Sequence, residues 1–146
     1  MIRLAGCLLI IYAGALCGIT AASSLTKRRK TLEKVIALLK YTSELIRYKK
    51  YPVEELMYEI RQNEANKRLL EQELEEYLSV EEKKTFERFL SDIGGSDQEG
   101  QQAMISLYIT EFERYAGFAV KKEAENGRLY RILGFMSGVF LTLIII

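Results

Sequence analysis

The sequence predicts an all-α protein, an antiparallel helical bundle flanked by N- and C-terminal transmembrane helices. Three observations predict it. Residues 4–25 and 132–146 carry no charged side chain. Between them, apolar residues recur every three to four positions. No β-branched-rich stretch alternates with period two. The near-zero mean hydropathy of −0.04 averages these two populations and describes neither. The expected organisation is a transmembrane helix over 1–26, a helical domain over 27–128 and a second transmembrane helix over 129–146. Of the 146 residues, roughly 100 remain for one modest core.

The run from Leu4 to Leu25 reaches roughly 33 Å at about 1.5 Å per residue, which matches the hydrocarbon thickness of a bilayer. Leu4-Ala5-Gly6-Cys7 has the look of a lipobox. No apolar region leads to it, however, and the basic cluster follows the run instead of preceding it, so a retained span is expected. Ile132–Ile146 alone gives roughly 22 Å of helix. Extended back to Leu129 it takes in Arg131, whose long stem can snorkel, and Tyr130, suited to the interfacial belt.

Lys27, Arg28, Arg29 and Lys30 follow the first span, and Lys121, Lys122, Arg128 and Arg131 lead into the second. By the positive-inside rule these clusters set the topology, with the middle domain in the cytoplasm and both termini outside. Residues 27–50 hold nine basic and two acidic side chains, whereas residues 51–99 hold six and fourteen. That layout places positive charge beside the membrane and an acidic face away from it. A basic run next to a span serves topology and anionic headgroups, so no nucleic-acid partner is expected.

Leu32, Val35, Ile36, Leu39 and Ile46 share one face of a first core helix of about 18 residues. A turn is expected near Lys50 and Tyr51. Pro52 then opens a second helix carrying Val53, Leu56, Met57 and Ile60. Leu70, Leu74, Tyr77 and Leu78 mark a third. Ser79 and Glu82 have the spacing of a capping box for a fourth, whose expected buried face is Phe86, Phe89, Leu90 and Ile93. Gly94 and Gly95 stop that helix, and Ser96 or Asp97 caps the next. The last helix carries Met104, Ile105, Tyr108, Phe112, Tyr115 and Ala119 on one stripe, with Gly117 and Gly127 in the run towards the second span. Tyrosines 41, 48, 51, 58, 77, 108 and 115 lie on or beside these stripes and are expected in the core or at its rim.

Nothing in this pattern points to catalysis. There is no His and no Trp, and the two cysteines, Cys7 and Cys17, fall within the first apolar run. A disulfide framework, a metal site or a bound cofactor is therefore not expected. The adjacent pairs Glu54-Glu55 and Glu81-Glu82 point in different directions on a helix. Gly94-Gly95-Ser96-Asp97 with Gly100 has no preceding strand and no Gly-Lys-Ser/Thr, so it is read as a connector and not a phosphate loop.

Several short motifs occur in a set order. These are the glycine-containing first span ending in basic residues, the Leu32–Tyr48 helix, Tyr51-Pro52-Val53-Glu54-Glu55-Leu56, Ile93-Gly94-Gly95-Ser96-Asp97 with Gln101, and Tyr130-Arg131-Ile132-Leu133-Gly134 with Gly138. Over essentially the full chain this layout resembles the stage III sporulation protein AB family of endospore-forming Firmicutes, itself similar to the F-type platform protein of type II secretion machines. Ile93 stands where the family usually has Leu, a volume-conserving change.

The resemblance implies a non-enzymatic helical platform in the mother-cell membrane around the forespore, part of a secretion-like channel required for spore development. Its implied partners are a cytoplasmic secretion-type ATPase and other membrane proteins of the channel. Gly94, Asp97 and Gln101 are matched to the family motif, as cap and packing positions or as partner contacts. The acidic helices, through Glu54, Glu59, Glu71, Glu75 and Glu76, are the expected docking surface for the ATPase. The alternative is a self-associating scaffold without a motor, in which Gly6, Gly14, Ala15 and Gly18 permit close helix approach.

Overall fold

The computed structural model describes residues 2–49, 53–95 and 97–145. Helix α1 spans Ile2–Lys49, α2 Val53–Gln62, α3 Glu64–Arg68, α4 Leu74–Tyr77, α5 Val80–Asp92 and α6 Gln98–Ile145, with a π-helical turn over Leu69–Glu73 joining α3 to α4. Among the described residues there is no strand, and the chain is all-α. The turn expected at Lys50, Tyr51 and Pro52, and the cap position Ser96, lie outside the described residues.

The first span and the first core helix, expected as separate elements, form one helix. Thr26-Lys27-Arg28-Arg29-Lys30 holds neither Gly nor Pro, so nothing in it ends the helix. Likewise Gly117 and Gly127 sit inside α6 without interrupting it. The chain divides into two compact units, Arg28–Phe118 and Met1–Lys27 with Ala119–Ile146, and each is described separately.

In the Arg28–Phe118 unit, α6 runs antiparallel to both α1 and α5. Lys40 meets Glu113, Ser43 meets Gln102, and the Gln98 side-chain amide donates to the Ile46 and Arg47 carbonyls. Those carbonyls belong to the last turn of α1, so Gln98 reaches the end of that helix from across the unit. On the α5 side, Phe86 packs edge-on to Phe112 at 6.4 Å between ring centroids, and Phe89 to Tyr108 at 5.6 Å. Leu32, Val35, Leu39, Leu56, Ile105 and Phe112 are fully buried, as their spacing predicts.

The third helical segment departs from the expected phase. Leu69, 1 % exposed, is buried together with Leu74 and Leu78, whereas Leu70 and Tyr77 are only half-buried. The π-helical turn explains this. The Leu74 N–H donates to the Leu69 carbonyl five residues back, so residues five apart share a face there and the apolar stripe moves by one position. Tyr48 and Tyr58, expected at the core or rim, are instead 77 % and 68 % exposed. Gly94 has φ 91°, the left-handed conformation that ends α5, and the Gly95 N–H closes onto the Asp92 carbonyl at 3.2 Å.

Candidate functional site

In the unit formed by Met1–Lys27 and Ala119–Ile146, the two helices meet through glycine. A Cβ placed on Gly14 would lie 2.7 Å from the Gly134 carbonyl oxygen, and one on Gly18 would lie 2.6 Å from that of Tyr130. In return, a Cβ on Gly134 would lie 2.7 Å from both the Gly14 oxygen and the Gly18 Cα, and one on Gly138 3.0 Å from the Ile11 Cα. Two Gly-x-x-x-Gly motifs, one on each helix, thus form a single backbone-to-backbone seam. A Cβ on Gly6 meets nothing within 4 Å.

Around this seam the surface is apolar: Leu8, Leu9, Ile132, Phe140, Leu143 and Ile144 are all exposed. Both helices are long and apolar enough to cross a bilayer. Exposed leucines and isoleucines around a seam with satisfied backbone fit a membrane protein, whose solvent is lipid. Polar groups gather towards the charged ends of the helices. The Thr26 hydroxyl donates to Glu123 at 2.6 Å, and the Arg131 guanidinium turns back to the Gly127 carbonyl at 3.1 Å, the direction in which helical side chains lean.

Among the described residues of the Arg28–Phe118 unit, the buried charge is Glu82, 1 % exposed. Its carboxylate accepts the Ser79 N–H at 2.8 Å, while the Ser79 hydroxyl accepts the Glu82 N–H, which completes the capping box the spacing predicts. The same carboxylate accepts two hydrogen bonds from Arg28, at 2.6 and 3.3 Å. One side chain therefore ties the start of α5 to α1. Of the basic cluster named for topology, Arg28 is engaged here, Arg29 pairs with Glu33 on its own helix, and Lys27 and Lys30 are exposed.

The family-motif residues organise the α5–α6 connection. Asp97 accepts the Gly100 N–H at 3.0 Å through its side chain and the Gln101 N–H at 2.9 Å through its backbone carbonyl, so it is the N-cap of α6. Gln101 is half-buried one turn further on. The side chain of Glu54 lies outside the described residues. Glu59 is half-buried, and Glu75 pairs with Lys83 at 2.6 Å. Glu71 and Glu76 are exposed and make no ion pair among the described residues. Glu73, not among the expected docking residues, pairs with Lys34 at 2.6 Å.

A groove of about 230 Å³ lies among α2, the π-helical turn, α4 and α5. Met57, Leu70, Leu74, Phe86 and Leu90 form its apolar lining, and Arg61, Glu75, Lys83 and Glu87 its polar one. Leu90, expected to be buried with Phe86 and Phe89, is 36 % exposed and faces this groove. Periodicity alone did not reveal the groove, because it depends on the phase shift that buries Leu69 and leaves Leu70 outside.

The chemistry available is sparse. Among the described residues, no group of three or more His, Cys, Asp or Glu side chains could hold a metal ion. Among the described residues the perturbed titratable group is Tyr108, whose phenol donates to Asp92 at 2.6 Å. Burial, reinforced by that bond and the Asp92 charge, raises its pKa from 10.0 to about 12. The folded protein thus keeps this proton more tightly than the unfolded chain. The stabilisation is complete below pH 10 and is lost as pH rises through about 12. In a pH series of thermal melts, Tyr108→Phe is expected to remove that part of the alkaline decline.

A family model described as stage III sporulation protein AB matches residues 3–70 and 63–146. No curated protein and no solved structure matches the chain.

Proposed function

Because this chain belongs to the stage III sporulation protein AB family, we propose that it serves as a non-enzymatic membrane platform of a secretion-like channel between mother cell and forespore. In this reading it docks a cytoplasmic secretion-type ATPase. It sits in the mother-cell membrane around the forespore, crosses it twice and keeps the Arg28–Phe118 unit in the cytoplasm. The basic residues next to each span support that orientation.

The observation that carries the docking role is the unequal use of the glutamates. Glu73, Glu75 and Glu82 are engaged within the fold. Glu71 and Glu76, on the same stretch, are exposed without an ion pair among the described residues. Carboxylates without an internal partner are the ones free to steer and hold a basic surface. By contrast, Gly14 and Gly18, on which a self-associating scaffold would rely, contact Gly134 and Gly138 of the same chain.

Titration calorimetry of the full-length protein in nanodiscs with the ATPase, at two salt concentrations, tests the proposal. Binding that weakens with salt is expected. Glu71→Lys/Glu76→Lys should lower affinity by about tenfold and flatten the salt dependence. Unchanged binding by this double variant would remove the acidic surface from the interface.

A further inference from the structure

We infer that Arg128 and Arg131, side by side on the exposed surface of α6, hold the phosphate of an anionic phospholipid headgroup. This rests on the two-span reading above and adds the class of lipid the chain selects and the residues that select it.

The run Lys27-Arg28-Arg29-Lys30 is the part of the sequence expected at the headgroups, yet the fold uses most of it elsewhere. Arg28 is held by Glu82, Arg29 by Glu33, and Lys27 is engaged as well. The basic residues of α6 are spent differently. Lys121 meets Glu125 only at 4.0 Å, with both side chains exposed, and the Glu123 carboxylate accepts the Thr26 hydroxyl. Lys122, Arg128 and Arg131 are exposed and make no ion pair among the described residues. Positive charge available to an outside anion is therefore concentrated on α6.

Depth and direction single out the two arginines. Arg128 directly precedes Leu129, the first exposed residue of an apolar run that continues through Ile132, Leu133 and Phe135. Arg131 lies within that run, about 4.5 Å further along the helix. Its Nε donates to the Gly127 carbonyl at 3.1 Å, one turn back towards the charged end, which brings the guanidinium to the level of Arg128. Residues three apart are neighbours on a helix surface, so two cations stand together where hydrocarbon gives way to headgroups. The bond through Nε fixes the Arg131 group and leaves its terminal nitrogens for a ligand. A guanidinium fork pairs bidentately with phosphate oxygens. Acyl chains have exposed Leu129, Ile132 and Leu133 to lie against. A choline headgroup would bring a further cation beside two, so the anionic lipid is favoured.

The test measures, by native mass spectrometry of the full-length protein in detergent micelles, the first binding constants for phosphatidylglycerol and phosphatidylcholine. The parent should bind phosphatidylglycerol more tightly, and Arg128→Gln/Arg131→Gln should lower that affinity by about tenfold with an unchanged melting curve. Lys27→Gln/Arg29→Gln removes the same charge from residues the fold already uses, and should lower it less than about twofold. Equal losses in the two variants would mean diffuse attraction and overturn the inference. Inorganic phosphate at constant ionic strength should not displace the lipid; displacement would mark a plain anion site and also overturn it. A second measurement needs no variant. Phosphatidylglycerol with a photoreactive acyl chain should attach to residues 129–136 of the parent, and attachment to α1 alone counts against the site. A parent that stays in vesicles but binds both lipids equally sinks this inference only, whereas one that remains in water without detergent sinks the two-span reading.

Discussion

Gly134→Leu is expected to open the membrane seam. Its Cβ would lie 2.7 Å from the Gly14 oxygen and the Gly18 Cα, and neither backbone atom can rotate aside. Overpacking against mobile side chains costs about 1–3 kcal/mol, and a backbone obstacle raises that cost. The helices must instead separate towards the roughly 8–10 Å interaxial distance of ordinary helix pairs. Spin labels at the exposed positions Leu9 and Met136 should report a narrow distance distribution in the parent, and a longer, broader one in the variant. Gly6→Leu is the matched control, since its Cβ meets nothing within 4 Å, and it should leave the distribution unchanged. Sporulation efficiency is expected to fall with Gly134→Leu and not with Gly6→Leu. A parent-like distance in Gly134→Leu would mean that the seam does not hold the helices together.

Glu82→Ala should be the most damaging single change in the Arg28–Phe118 unit. It removes the acceptor of the Ser79 N–H and leaves the half-buried Arg28 without its carboxylate. Breaking a buried ion pair from one side costs about 3–5 kcal/mol, and loss of a helix cap about 1 kcal/mol. Against a total stability of about 5–15 kcal/mol this is a large share. The melting temperature should drop by more than about 10 °C. The Arg28→Met/Glu82→Gln pair keeps an acceptor for Ser79 and buries no lone charge, so it should recover most of the loss, a non-additivity readable in a double-mutant cycle. If Glu82→Ala melts with the parent, the pair contributes no more than a surface salt bridge.

Local features were legible in the sequence and distant pairings were not. The Ser79–Glu82 box and the Gly94 stop involve residues a few positions apart, where backbone geometry dictates the outcome. Arg28 lies 54 residues from Glu82, so only the fold brings them together. The seam is half-readable: both apolar ends carry glycines four apart, yet nothing local says that Gly14 and Gly18 meet Gly134 and Gly138. Leu69-Leu70 defeats periodicity for another reason. Either leucine satisfies a helical stripe, and one residue gained in a π-turn decides between them. Leu90 followed the same course, since a position on the edge of an apolar stripe is buried only if a neighbouring helix covers it. For the docking residues, sequence showed where carboxylates are dense, and the ion pairs showed which of them the fold already uses.

The glycine seam also bears on permeation. Where two helices approach until a single methyl group will not fit between them, no water-filled path can run along their contact. The hairpin has no lumen of its own. In the proposed channel, any route for solute would therefore have to lie beside this pair of spans and not between them.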